Sequence, residues 1–341
     1  MLNTVYQLKA PRTFELAFSD IQLDNEHIIV RPRYLSICNA DQRYYQGLRP
    51  EKVMREKLPM ALIHEGIGEV IYSPIDEYKP GDMVVMIPDI PCEEDSIVAE
   101  NYLRSSKFRG SSTDGFLQEY IETVPDRIIK LPDGIAPQVA AFTELVSVSF
   151  HAIKRFTEIA HERRDTVGVW GDGNLGYITS LLLKTMYPEI RVIVFGVNDN
   201  KLADFTFANQ TVRIDRVDES IYVDHAFECV GGVKAASAIN QMIDVIRPEG
   251  TISLLGVSEE FAPINTRMVL EKGLRLFGSS RSGRSDFEGL MELYRENPGL
   301  SYYLENIVGS VIEVRDLKDI VKAFETDIHK LIGKTVMVWN E

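Results

Sequence analysis

Residues 166–186, TVGVWGDGNLGYITSLLLKTM, constrain the fold more than any other stretch of the chain. An apolar run ends in a glycine-rich turn, Gly171-Asp172-Gly173-Asn174-Leu175-Gly176, which opens directly into an apolar helical pattern. Strand, G-x-G-x-x-G and helix in that order form the context a dinucleotide-binding unit requires. The glycines allow a tight turn and close backbone approach to a pyrophosphate resting on the helix N-terminus. Gly171, Gly173, Asn174, Leu175 and Gly176 are therefore expected to bind cofactor. The pattern continues with RVIVFG (strand), KLADFTFANQ (helix), VDHAFECVG (strand), KAASAINQMIDVIR (helix) and GTISLLGV (strand), the last carrying Gly256. This alternation predicts βαβ units on a doubly wound parallel sheet over 148–278.

Residues 1–147 have a different texture. Short runs rich in Val and Ile, such as HIIVRPRYLSI, GIGEVIYSP, GDMVVMIP, FLQEYIETV and RIIKLP, are separated by Gly and Pro and predict irregular antiparallel β structure. Residues 279–341 read as charged amphipathic helix closing in the strand KTVMVWN, and are expected to return to the first domain. At 341 residues the chain exceeds what one core usually supports, so the fold class is α/β with two domains. A net charge of -14 excludes nucleic acid and anionic membrane as natural partners. Three scattered cysteines suit a reducing compartment rather than a disulfide framework. The N-terminus lacks a signal-peptide core, and no apolar stretch reaches the roughly 20 residues of a membrane span. The expectation is a soluble, cytoplasmic protein.

The strand after the glycine turn bears on the cofactor. NAD enzymes usually end it with an acid that accepts from the ribose 2′-hydroxyl. Here it ends in Gly196, followed by Val197-Asn198-Asp199-Asn200-Lys201. Without a carboxylate at the strand end, NADP(H) is expected, with Asn198 donating to the 2′-phosphate and Lys201 supplying charge. The other reading gives Asp199 to a 2′-hydroxyl.

Cys38 lies 26 residues before His64-Glu65. A thiol, an imidazole and a carboxylate suit Zn²⁺, although a lone Cys or His is more often a core residue. The surrounding residues decide: Cys38-x-x-Asp41, His64-Glu65-x-x-Gly68 with Val70, Gly81-Asp82-x-Val84, Glu144-Leu145, the glycine turn and PEGTISLLGV. Together they resemble the medium-chain, zinc-dependent alcohol and polyol dehydrogenase superfamily over essentially the whole chain. The resemblance implies a GroES-like catalytic domain over 1–147 and 279–341 and a Rossmann domain over 148–278. It makes Cys38, His64 and Glu144 the expected zinc ligands and catalytic residues. Glu65 joins them as a fourth ligand or as a carboxylate that exchanges with water.

Two departures matter. The lobe that carries a structural zinc in such proteins keeps only Cys92, so one catalytic zinc and no structural zinc are expected. Ala40 occupies the position where many relatives place a proton-relaying Ser or Thr, and it cannot relay a proton. The proton must travel by another route, through zinc-bound water with Glu65 or a substrate hydroxyl.

Within the superfamily, ICNADQRYYQG, TELVSVS, VWGDGNLG, DHAFECVGG and INTRMVLEKGLRLFGSSRSG resemble the ribitol-5-phosphate 2-dehydrogenases, also called ribulose-5-phosphate reductases. That implies NADPH-linked reduction of D-ribulose 5-phosphate to D-ribitol 5-phosphate, supplying CDP-ribitol for teichoic acid or capsule. A cytidylyltransferase as next enzyme and a homodimer joined through the nucleotide-domain sheets are implied with it. The substrate phosphate needs a basic site, for which the planar Arg fork is well suited. Arg281 with Ser282, in Gly278–Arg284, is the first choice; Lys107, in Tyr102–Arg109, belongs to the second. The rival readings are an NAD-linked polyol dehydrogenase on an unphosphorylated substrate, a zinc-free quinone-reductase-like protein, and a non-catalytic NADPH-binding subunit of a cytidylyltransferase complex.

Overall fold

In the N-terminal region the short β-branched runs pair antiparallel between turns. They form β1 (Leu2–Ala10), β2 (Thr13–Asp20), β3 (Ile28–Ser36), β4 (Met60–Ala61), β5 (Glu65–Tyr72), β6 (Met83–Met86), β7 (Asp89–Ile90), β8 (Lys107–Phe108), β9 (Ile121–Thr123) and β10 (Ile128–Lys130). Helices α1 (Asn39–Tyr45) and α2 (Glu51–Lys57) lie between β3 and β4, and α3 (Pro137–Ala140) precedes α4 (Thr143–Ile159). The computed structural model describes residues 1–330 and 332–339.

The middle of the chain alternates as its pattern predicts. The strands are β11 (Thr166–Trp170), β12 (Arg191–Gly196), β13 (Gln210–Arg213), β14 (Val223–Glu228), β15 (Ile246–Leu254) and β16 (Arg275–Gly278). Between them run α5 (Asn174–Met186), α6 (Asp199–Ala203), α7 (Ala235–Val245) and α8 (Thr266–Glu271). All strand pairs are parallel, in the order β13-β12-β11-β14-β15-β16. The expected helix KLADFTFANQ is shorter than its pattern suggested, because α6 stops at Ala203 and Phe205 packs into the core from a turn.

The C-terminal segment contains α9 (Arg284–Glu296), α10 (Gly299–Glu305), β17 (Val308–Val314), α11 (Leu317–His329) and β18 (Lys334–Trp339). β17 was not anticipated: VGSVIEV alternates half-buried and exposed positions, which the charged flanks obscure. β17 and β18 join the sheet β10-β6-β5-β3-β18-β17. The chain divides into two units, Met1–Leu145 with Ser282–Glu341, and Val146–Arg281. Among the described residues, no helix is long and apolar enough to cross a membrane.

One stretch of register places the metal donors. Ser36, at the end of β3, pairs with Glu65 at the start of β5 on one side and with Val336 of β18 on the other. Cys38 follows two residues later, as the chain leaves the sheet for α1.

Candidate functional site

Cys38, His64 and Glu65 each offer a ligand atom within 4.8 Å of the others. A sulfur, an imidazole nitrogen and a carboxylate oxygen fit the donor chemistry of Zn²⁺. Asp41 ties the two donor loops together. Fully buried, it accepts from the Cys38 N–H at 2.9 Å and from the Ile63 N–H at 3.0 Å. Its Oδ1 also stands 3.6 Å from His64 Nδ1, so the carboxylate orients the imidazole. Ile63 sits at φ 72°, a costly conformation for a β-branched residue, and the loop keeps it through the Asp41 bond and a bond from Phe116 N to Ile63 O. Burial disfavours protonated His64, but Asp41 and the Cys38 sulfur outweigh it and hold its pKa well above the ordinary histidine value. The pocket therefore favours a positive charge, which a metal ion supplies.

Glu65 is fully buried, and the Lys334 ammonium stands 2.8 Å from each of its oxygens. Glu144, in the first turn of α4, is not part of the close donor group, although it is buried within the field of His64 and Glu65. Burial pushes its pKa up to about 7. The structure thus brings together three of the four expected ligands and sets Glu144 beside them. Asp41 and Lys334 were missed as site residues. Asp41 lay in a motif without a role; a Lys inside an apolar strand pattern was the overlooked signal, since a buried ammonium demands a partner.

In the second unit the glycine turn forms as expected. Gly171 has φ 129°, and a Cβ on Gly176 would lie 1.9 Å from Gly171 O, so the first turn of α5 packs directly on the loop. The strand end holds a group that the sequence pattern did not show. Asp172 Oδ2 accepts from the N–H groups of Val197 and Asn198, each at 2.8 Å. A Cβ on Gly196 would lie 2.7 Å from Asp172 Cβ. A carboxylate does occupy the strand end, reaching it through space from the glycine turn rather than from the strand itself. Asn198 caps α6 by accepting from Asn200 N and Lys201 N, which leaves its amide N–H₂ as the donor for a ligand. Glu228 closes the next two loops: it accepts from Val230 N, Gly231 N and Gly256 N at 2.7–2.9 Å. Gly256 is required there, because a Cβ would meet both Glu228 oxygens at 2.6 Å.

The two basic clusters contain groups that hold the fold beside those expected to meet the substrate. Arg284 donates to Glu100, Glu288 and the carbonyls of Pro125 and Ile128, and Arg109 donates to Glu122 O while lying over the Phe116 ring. Both hold the fold. Lys107 is exposed on β8, and Ser282 is buried. Arg281 takes a left-handed φ of 59°, a strained position for a side chain that function often explains.

Comparison with known proteins gives this arrangement its family. Residues 24–133 match the alcohol dehydrogenase GroES-like domain, and residues 177–296 match the zinc-binding dehydrogenase model. The chain is 50% identical over 340 residues to a ribulose-5-phosphate reductase of Bacillus spizizenii, covering 100% of both chains. It is 50% identical over 339 residues to ribulose-5-phosphate reductase 1 of Staphylococcus aureus, covering 99% of each. The crystal structure of S. aureus TarJ in complex with NADPH superimposes with a TM-score of 0.90 at 45% identity, covering 100% of both chains. This chain belongs to the zinc-type medium-chain dehydrogenases, with a GroES-like and a Rossmann domain, and within them to the ribulose-5-phosphate reductase family.

Proposed function

We propose that this chain is the NADPH-dependent enzyme that reduces D-ribulose 5-phosphate to D-ribitol 5-phosphate. The observation that carries the reading is the Cys38–His64–Glu65 donor group, in a chain half identical, end to end, to reductases of that name. When bound, zinc polarises the C2 carbonyl as a Lewis acid and the nicotinamide supplies the hydride. Cys38, His64 and Glu65 hold the metal, with Asp41 orienting His64. Glu144 lies beside them as a carboxylate whose raised pKa suits proton exchange near neutral pH. That gives the proton a route that does not need a hydroxyl at Ala40. A single zinc per chain follows from Cys92, an exposed thiol in the lobe that would need four such ligands.

Gly171, Gly173, Asn174, Leu175 and Gly176 cradle the pyrophosphate, Gly196, Asn198 and Lys201 border the adenosine ribose, and Gly256 lies in the loop after β15. Arg281 and Ser282, with Lys107 as the second choice, meet the substrate phosphate. The first unit is the catalytic domain and the second the NADP-binding domain. The product passes to a cytidylyltransferase and serves CDP-ribitol synthesis for teichoic acid or capsule. The enzyme works in the cytoplasm as a homodimer formed along β16, the edge strand of the parallel sheet.

A second reading, an NAD-linked polyol dehydrogenase, draws on one observation: the Asp172 carboxylate at the strand end stands where NAD enzymes keep an acid. Cofactor oxidation by zinc-loaded protein separates the two, with NADPH and NADH each offered D-ribulose 5-phosphate and plain ribulose. Turnover confined to NADPH and the phosphate ester is the expected result. Equal rates with NADH and plain ribulose would establish the second reading.

A further inference from the structure

The lobe between β7 and β8, residues 91–106, carries one exposed thiol, Cys92, and is pinned within its unit by a carboxylate. Glu100 opens a single helical turn, Glu100–Tyr102, and accepts from both terminal nitrogens of Arg127, at 3.0 and 3.2 Å. Arg127 is 4% exposed, and a guanidinium at that depth needs anionic and carbonyl partners. It finds them in Glu100, Asp126 and the carbonyl of Asp89. The Glu100 carbonyl is engaged as well, accepting from Ser106 Oγ at 2.9 Å, one residue before Lys107.

The same carboxylate reaches a distant part of the chain. Its Oε1 accepts from the backbone N–H of Arg284, the first residue of α9, at 2.6 Å. A Cβ on Gly283 would lie 2.9 Å from Glu100 Cγ and 3.0 Å from Oε1, so glycine lets the two segments touch. Asp286 accepts from the Gly283 N–H at 3.0 Å, and the Arg284 side chain donates to the carbonyls of Pro125 and Ile128. The start of this 13-residue helix would draw an anion through its dipole, and Glu100 and Asp286 already supply two carboxylates there.

We propose that Glu100 is a positioning residue for the substrate phosphate. It fixes the turn Ser282–Arg284, so that Ser282 and the preceding Arg281 present their donors at one place. It also occupies the helix start, which keeps the phosphate off α9 and on those two residues. Its own charge is spent on Arg127, so it does not repel the phosphate. Through Ser106 it holds the segment of Lys107 too, and both basic stretches depend on one side chain. This rests on the reading above, in which Arg281 and Ser282 meet the phosphate of a sugar phosphate.

The test uses the full chain loaded with zinc and saturated with NADPH. Its readouts are KM and kcat for D-ribulose 5-phosphate and the Ki of inorganic phosphate as a competitive inhibitor. Glu100→Gln keeps the side-chain length and leaves Arg127 its Asp126 partner, but removes the charge that joins Arg127 to the Arg284 N–H. KM and Ki should each rise about fivefold, the worth of one hydrogen bond, with kcat held within about twofold. A Ki that stays at the wild-type value, or a kcat that falls as far as KM rises, overturns the inference, because Glu100 then serves the fold alone. If Glu100→Gln does not fold, Gly283→Ala pushes Glu100 off the Arg284 N–H with every charge kept. It should raise KM and Ki by the same factor, and an unchanged Ki overturns the inference. A wild type that reduces plain ribulose as fast as the ester, without inhibition by inorganic phosphate, overturns the sugar-phosphate reading and this inference together. That result is distinct from a phosphate-dependent wild type whose variants behave like it.

Discussion

Two pairs of carboxylates, one pair in each unit, are held in opposite ways. In the unit that carries Cys38, Glu65 and Glu144 stand among a histidine, a thiol and an ammonium. In the unit that carries the glycine turn, Asp172 and Glu228 are met by backbone N–H groups, two and three of them. Backbone donors are fixed by the fold, so a carboxylate they hold becomes part of the scaffold. Side-chain cations and a metal can be exchanged, so a carboxylate among them remains available for chemistry. If that contrast is right, damage to the first unit should remove turnover with little loss of cofactor binding. Damage to the second should loosen the cofactor loops and leave metal binding alone.

The strongest attempt to break the contrast is Cys38→Ser. Loss of the thiolate removes Lewis-acid stabilisation of several kcal/mol, so kcat should fall by about 10³-fold. The Kd for NADPH, from quenching of protein fluorescence, should stay within about twofold, because Cys38 and the glycine turn belong to different units and adjoin different sheets. Wild-type-like turnover by a zinc-free Cys38→Ser protein would remove the metal from the mechanism.

Glu228→Gln is the mirror experiment. The amide can no longer accept from three N–H groups and turns a donor toward at least one of them. The loss of charge-assisted bonds should cost about 3 kcal/mol of stability in the second unit. NADPH affinity should fall with it, through a rise in KM for NADPH rather than a collapse of kcat, and zinc content should not change. A Glu228→Gln protein of unaltered NADPH affinity would show that these loops do not position the cofactor.

How much of this was legible in the sequence follows the same division. The parallel sheet could be read because its central strands β11 and β12 are nearly continuous apolar runs and Gly171–Gly176 sits at a strand–helix junction. Cys38, His64 and Glu65 could be proposed from their motifs, but their convergence depends on Asp41 bridging two loops, and sequence spacing does not encode that bridge. The absent acid at Gly196 pointed to NADP(H), but it did not describe the strand end fully, for a physical reason. A glycine at a strand end shows only that no side chain fits there, and here it is Asp172 that fills the space. Lys334 was hidden because KTVMVWN reads as one more apolar strand.

His225 offers a pH-dependent way to sharpen the comparison, since its partners are also backbone. Its Nε2 bonds Arg163 O at 3.0 Å, and its Nδ1 accepts from Thr251 N at 3.1 Å, a pair that fixes the neutral tautomer. Burial first, and then His161 beside it, push its pKa down to about 4. A depressed histidine contributes stability above its unfolded pKa of 6.5 and loses it as pH falls toward 4. The second unit should therefore lose about 2 kcal/mol between pH 7 and pH 5. Urea unfolding followed by Trp170 fluorescence in a Trp339→Phe background reports that unit alone, and His225→Gln should flatten the slope.

The smallest expected effect probes the substrate, where the two units differ least clearly. Arg281 is the last residue of the second unit, and its left-handed φ of 59° costs conformational energy that an ordinary surface loop would shed. If the strain serves to aim the guanidinium at a phosphate, Arg281→Ala should raise KM for D-ribulose 5-phosphate about tenfold, as expected for one charge-assisted contact, with kcat little changed. Arg281→Gly relieves the strain and removes the charge, so it should be more stable than the wild type yet share the raised KM. If both variants keep the wild-type KM, the phosphate is held elsewhere, and Lys107 on β8 becomes the next residue to replace.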